Sequence, residues 1–303
     1  MHKAMAMNNL YVACIVSLFT TATARAQHDD ANLKGDTIGF RMPATNNAKT
    51  PANKSTQVYK LNYAVDIPIT ATGTIWSLYA FSKIYSKDPS DEKTILALNK
   101  NNVNSFDRWA IRPYNKKDDN ISYIPFYTSM PLPVLFLLDN RMRKDIVKLS
   151  FLYLEAMSVT GILYTGSTYF TNRYRPYVYS SETPMDFRTR GGGKNSFYAG
   201  HVALVATSTF FMASAYADYH PDSHIKWLFY GIAGAATGTT AYLRHLGGLH
   251  FPSDLLLGVV QGTATGLLVP RLHRNKIIKN PNLTILPFTT GEASGLAMVY
   301  KLQ

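Results

Sequence analysis

The chain has 303 residues, 46% hydrophobic, 13% aromatic and 17% charged, enough for a sizeable core in one or two domains. The charged share lies below the ~25% usual for soluble domains, which argues against a disordered, collagenous or coiled-coil protein. A net charge of +12 admits a nucleic-acid partner, but membrane proteins and phosphate sites also gather basic side chains. The single cysteine, Cys14, excludes an internal disulfide and argues against thiolate metal sites.

The first 26 residues have the pattern of a secretory signal. Lys3 gives a positive start, Leu10 to Phe19 an apolar stretch, and Ala24-Arg25-Ala26 a small-residue cleavage site before Gln27. Residues 27–120 are expected to form an irregular N-terminal extension: a polar lead-in to residue 60, one apolar segment holding Asp66 and Pro68, and a weakly amphipathic surface piece from Thr94 to Ile111.

Five apolar stretches follow: Ile121–Leu138, Val147–Phe170, His201–Ala217, Trp227–Leu243 and Leu255–Pro270. They lack a polar face, so each is surrounded by protein or by lipid, and their lengths lie at the lower edge for spanning a bilayer. Gly258, Gly262 and Gly266 recur every fourth residue, a ladder that lets helices approach closely, and Gly234 and Gly238 repeat it. The expectation is an all-α bundle of about six core helices, membrane-embedded, with its core at 121–272; a soluble bundle is the alternative. Residues 273–303 form a tail in which Leu283–Phe288 and Leu296–Tyr300 suggest a short β-hairpin. Arg141, Arg143, Lys144 and Lys148 cluster where the first stretch gives way to the second, and Arg271, Arg274, Lys276 and Lys279 follow the last. Both clusters are expected on the cytoplasmic side, with loops 171–200 and 244–254 facing the periplasm. A cleaved leader fits that orientation only if residues 61–85 do not cross.

Those two loops hold the chemistry. They contain Asn172-Arg173-Tyr174-Arg175-Pro176, then Asn195-Ser196-Phe197-Tyr198-Ala199-Gly200-His201, then Arg244, His250 and Asp254 in the spacing Arg-x5-His-x3-Asp. Guanidiniums are planar forked donors to phosphate oxygens, and a Gly-His turn entering a helix presents backbone N–H groups where the dipole favours an anion. His250 and Asp254 are four apart, so the carboxylate is expected to hold an imidazole N–H and leave the other nitrogen free to attack phosphorus. His201 is placed to protonate the departing oxygen. Arginines can stabilise the transferring group, so no metal or cofactor is required.

These pieces resemble the type 2 phosphatidic acid phosphatase family, which includes bacterial class A acid phosphatases and is related to vanadium haloperoxidases. The family pattern is Lys-x6-Arg-Pro, Pro-Ser-Gly-His and Ser-Arg-x5-His-x3-Asp, and the likeness covers roughly residues 121–272. It implies a helical bundle, metal-independent hydrolysis of phosphate esters, and a phosphohistidine intermediate. By position it makes Arg175 and Arg244 phosphate ligands, Gly200 an N–H donor, His201 the general acid, His250 the nucleophile and Asp254 its orienting partner. The sequence departs from the pattern at Thr168 for the lysine, Ala199 for the serine, Tyr198 for the proline and Leu243 for the second serine. Arg173 or Lys194 is expected to supply the missing positive charge.

The implied substrate is a lipid-linked phosphomonoester or pyrophosphate of the phosphatidic acid, undecaprenyl pyrophosphate or lipid A type, hydrolysed in the cell envelope at the outer face of the cytoplasmic membrane. Rivals are a soluble periplasmic acid phosphatase of broad specificity and a weakly active or inactive phosphate-binding protein; vanadate chemistry is more distant. No basic patch with interleaved aromatics lies outside these loops, which argues against nucleic acid, and no obligatory protein partner is inferred. His220, Asp222 and His224 read as a turn between helices rather than a metal site. Gly191-Gly192-Gly193-Lys194 lacks the remaining elements of a phosphate loop, and its glycines are read as slack in the catalytic loop.

Overall fold

The computed structural model describes residues 57–275, 283–289 and 294–300. The signal-like leader and the polar lead-in lie outside the described residues, apart from the last few before Leu61. Six long helices make the described bundle: α1 (Tyr63–Tyr85), α2 (Lys116–Ser129), α3 (Ile146–Phe170), α4 (Gly200–Tyr219), α5 (Ile225–Leu246) and α6 (Pro252–Leu272). Strands β1 (Leu283–Thr289) and β2 (Ser294–Tyr300) pair antiparallel, Leu283 opposite Tyr300. The all-α bundle expected from the apolar pattern is the observed architecture.

Helix α4 is the hub and packs against α2, α3, α5 and α6. Nearly all its side chains are buried, and small or short ones predominate, from Ala203 and Ala206 to Ser208 and Ala213. Small side chains bring backbones close, and the glycine ladder of α6 does so here. A Cβ on Gly258 would stand 2.7 Å from the Ala199 carbonyl oxygen, and one on Gly262 2.2 Å from that of Ala203. Gly266 repeats the contact at Thr207. The expectation for Gly234 and Gly238 is corrected: both lie on the exposed side of α5, and a Cβ there meets nothing. The same four-residue spacing arose on a face that no described helix covers.

Helix α1 is inside out. Its buried positions are Asp66, Thr70, Gly73, Ser77, Ala80 and Ile84, whereas Val65, Ile67, Ile69, Ile75 and Leu78 are exposed. It runs parallel to α3: Thr74 Oγ1 is 2.8 Å from Ser158 Oγ, Gly161 faces Ser77, and Phe81 packs at a tilt against Tyr164. The packed bundle therefore begins before residue 121. The expected amphipathic piece at 94–111 is instead broken into the short helical turns Glu92–Leu96, Lys100–Asn102 and Ser105–Arg108. Asn99 and Asn104 side chains cap the last two, which stops a continuous helix from forming.

Three described segments are long and apolar enough to cross a membrane: Lys116–Leu138, Met142–Phe170 and Pro252–Leu272. The ends of the bundle differ in chemistry. Arg141 donates to the Tyr219 carbonyl at 3.0 Å, Arg274 pairs with Asp218 at 2.9 Å and His220 with Asp139 at 2.8 Å, all at one end. His220 is thus a link between helix ends, consistent with a turn.

Replacing Gly262 by Ala forces a methyl against the Ala203 backbone, and should lower the stability by the ~1–3 kcal/mol of an overpacked core, seen as a lower Tm. The same change at Gly234 should be neutral or stabilise by up to ~1 kcal/mol through helix propensity. Thermal unfolding in detergent reads both; equal effects would mean that the ladder is not a packing device.

Candidate active site

The other end of the bundle gathers the residues singled out by the sequence. The C-terminus of α3, the N-terminus of α4 and the turn between α5 and α6 meet there. Gly200 is the first residue of α4, and its missing side chain leaves room for the Tyr164 ring, which a Cβ would approach to 2.3 Å. Ala199 at the N-cap makes no side-chain cap, so the first N–H groups of α4 stay available to an anion. Gly248, at φ 70°, makes the turn that carries His250; its carbonyl accepts from Tyr177 N at 3.0 Å.

Arg244 is almost fully buried at the end of α5. Its Nη1 donates to Asp119 Oδ1 at 2.7 Å and to Ser122 Oγ at 3.2 Å, and the guanidinium lies over the Tyr123 ring. Its buried Nε has no partner, an unmet donor where an oxyanion can be received. Arg175 is tied by its backbone N–H to the Gly193 carbonyl at 2.8 Å and by Nε to the Asn195 carbonyl at 3.3 Å. Neither Arg175 nor Lys194 forms an ion pair among the described residues. His201 packs edge-on to Tyr123 and against Phe126, with centroids 4.9 and 4.6 Å away.

His250 is buried, and its Nδ1 lies 2.7 Å from the Ser196 carbonyl oxygen. A carbonyl only accepts, so Nδ1 carries the proton and the neutral ring presents a lone pair at Nε2. Burial, then the charges of Arg175 and Arg244, hold His250 well below the ordinary imidazole range. Burial, Arg244 and Arg175 push His201 down in the same way. Both imidazoles thus lie within the field of the same two guanidiniums, and His201 also acts on His250.

Two sequence expectations are corrected. Asp254 does not hold His250. Its Oδ2 accepts from Ser196 Oγ at 2.6 Å and from Phe251 N at 3.0 Å, and its Oδ1 pairs with Arg173 Nη1. The backbone turn at Phe251 takes His250 away from the first turn of α6, so a four-residue spacing does not become a shared helical face. Arg173 is likewise not free for phosphate. It bridges Asp254 and Asp107, at 2.6 Å to Asp107 Oδ2, and stacks on Phe251 at 4.6 Å.

Asp107 joins the site although no motif marks it. Fully buried, it accepts from Ser253 N at 2.9 Å, Ser253 Oγ at 2.6 Å and Asn104 Nδ2 at 2.8 Å. Burial pushes its carboxyl up, but the hydrogen bonds from Ser253, Asn104 and Arg173 together prevail and hold it below the usual carboxylate range. At the missing family lysine, Thr168 donates to the Phe197 carbonyl at 3.0 Å. Lys87 binds the Thr168 and Thr171 carbonyls at 2.7 and 2.8 Å. The glycine run is corrected as well: a Cβ on Gly191 would stand 1.7 Å from the Lys87 carbonyl, so it serves close packing, not slack.

Residues 149–278 match the family model described as "PAP2 superfamily". No curated protein sequence matches the chain. A solved structure titled "Crystal structure of the first transmembrane PAP2 type phosphatidylglycerolphosphate phosphatase from Bacillus subtilis" aligns over 70% of this chain and 98% of its own, with 16% identity and a TM-score of 0.40.

Arg173→Ala strands two buried carboxylates, so it should destabilise the fold by about 3–5 kcal/mol. Arg175→Ala, which breaks no ion pair, should leave Tm within a degree or two and weaken phosphate binding instead. Thermal unfolding with and without inorganic phosphate separates these; a stable Arg173→Ala protein would overturn the assignment.

Proposed function

Because residues 149–278 belong to the PAP2 superfamily, we propose that this protein is a metal-independent phosphatase acting on a lipid-linked phosphomonoester or pyrophosphate. The observation that carries the reading is the His250–Ser196 hydrogen bond, since it leaves Nε2 as an in-place nucleophile beside two guanidiniums. Arg175, the unmet Nε of Arg244, the Gly200 N–H and Lys194 receive the phosphoryl oxygens. Nε2 of His250 forms a bond to phosphorus as the ester P–O bond breaks, and His201 gives a proton to the departing oxygen. Water then attacks the phosphohistidine, His201 takes its proton, and phosphate leaves. The incoming dianion offsets the guanidinium field, raising the affinity of His201 for the proton it must donate.

Asp254 acts on His250 only through Ser196. One carboxylate oxygen fixes the Ser196 hydroxyl, and the Ser196 carbonyl fixes the ring. With Thr168 in the family's lysine position, Lys194 is the remaining side-chain ammonium of that loop without an ion pair.

A lipid substrate is supported by the apolar outer surface. Phe106, Trp109 and Phe170, on the segments that build the site end, are exposed, as is the outer face of α1. We place the protein in the cytoplasmic membrane with the site facing the periplasm and the basic end inside. Helix α1 runs parallel to α3, so its Tyr63 end lies with the basic end of the bundle. The phosphatase core accordingly runs from α1 through α6.

Phosphate release from short-chain phosphatidic acid in detergent tests the reading: His250→Ala should abolish turnover. His201→Ala should cost about 10²–10⁴-fold on alkyl esters. It should cost far less on an aryl phosphate, whose leaving group needs no proton. Neutral His250 is the competent form and its pKa is lowered, so kcat/KM should hold on the acid side until below pH ~6.5. An acid limb above that value, or equal rates for wild type and His250→Ala, would refute the proposal.

A further inference from the structure

Three titratable side chains meet at a place that the phosphatase chemistry does not use. Asp66 on α1, Glu155 on α3 and His273 just past α6 each offer a ligand atom, all within 4.8 Å of one another. Asp66 and Glu155 are only 4% and 5% exposed. Along α3, Glu155 lies ~20 Å before Thr168, and along α6, His273 lies ~28 Å beyond Asp254, so the cluster is remote from the phosphate cup.

The hydrogen bonds show which atoms are spare. His273 Nδ1 is 2.8 Å from the Val269 carbonyl oxygen, which can only accept, so Nδ1 carries a proton and Nε2 points its remaining valence at the carboxylates. Asp66 Oδ2 takes the Asn62 N–H at 2.6 Å, leaving Oδ1 free. Glu155 Oε2 is buried without any hydrogen-bond partner. Among the described residues no lysine or arginine pairs with either carboxylate. Two carboxylate oxygens and an imidazole nitrogen facing one another form a ligand set that a cation would complete.

The separations say which cation. His273 Nε2 is 3.4 Å from Asp66 Oδ1 and 3.6 Å from Glu155 Oε2. A proton on Nε2 would draw one carboxylate in to about 2.7–2.9 Å. Two ligands held at ~2.1 Å on one tetrahedral ion stand about 3.4 Å apart. We propose that Asp66, Glu155 and His273 bind a divalent transition-metal ion of the zinc or manganese class. The ion clamps the start of α1 to the middle of α3 and the end of α6, with a fourth position open to water. This clamp is independent of the phosphatase reading, and it bears on any chelator experiment, because removing a structural ion can inactivate an enzyme whose chemistry needs none.

The test uses the full chain in detergent, stripped with chelator and dialysed against Zn²⁺ or Mn²⁺. Bound metal is measured by mass spectrometry, and Tm by unfolding. The expected result is about one ion per chain, and a Tm raised by about 5 °C or more at hundredfold excess over Kd. Glu155→Gln and His273→Gln should each weaken binding at least tenfold while the phosphate-binding shift in Tm remains. If neither variant folds, X-ray absorption on the loaded wild type decides: one imidazole among oxygen ligands supports the site, several imidazoles overturn it. Substoichiometric binding of both metals by wild type, or undiminished binding in both variants, also overturns it.

Discussion

The chemistry proposed for this protein depends on one hydrogen bond: the Nδ1–H of His250 on the Ser196 carbonyl. A buried imidazole could be neutral in either tautomer, and only one presents Nε2 as a lone pair. The carbonyl removes the choice. Everything around it serves to hold that carbonyl still. Ser196 is gripped at its hydroxyl by Asp254, Asp254 by Arg173, and Arg173 by Asp107 on a turn some 66 residues earlier. A chain of charge-assisted contacts therefore runs from a loop outside the family-matched segment to the carbonyl that holds His250.

The scaffold makes that chain rigid. Gly258, Gly262 and Gly266 let α6 lie directly on the backbone of α4, so the two helix ends bearing Asp254 and Gly200 cannot slide independently. Ala199 N also bonds to the Asp254 carbonyl at 3.2 Å, joining the two N-termini. The N-termini of α4 and α6 and the guanidiniums of Arg175 and Arg244 belong to the same end of the bundle, positive groups of the kind that an anion satisfies. Asp119 partly balances Arg244 from behind, which keeps the guanidinium in place without occupying its Nε.

The sequence made the bundle legible because lipid-facing or fully enclosed helices need no polar face, and the five apolar stretches stand out by that lack. Helix α1 was harder to read, since its inward face is polar and small and its outward face apolar, the reverse of a helix on a water-soluble core. The arginine and histidine spacings located the site because each lies near a helix end, where local sequence fixes geometry. Partners chosen by tertiary packing were not readable. Asp254 sits four residues from His250, yet the extended residue Phe251 turns the two apart. Asp107 lies in a short helical turn, and nothing local shows that its carboxylate reaches Arg173 and Ser253. The glycines of α5 show the converse: a packing motif in sequence without a packed face in the structure.

In the proposed mechanism the tautomer of His250 decides which nitrogen becomes phosphorylated, so the most direct measurement is to trap the intermediate. Rapid quenching of the enzyme with a ³²P-labelled lipid phosphate, followed by alkaline digestion and separation of the two phosphohistidine isomers, reads the attachment point. The account predicts label on His250 at Nε2, lost in the Asp254→Asn and Ser196→Pro variants in proportion to their loss of turnover. Label on Nδ1 of His250, or on His201, would contradict it.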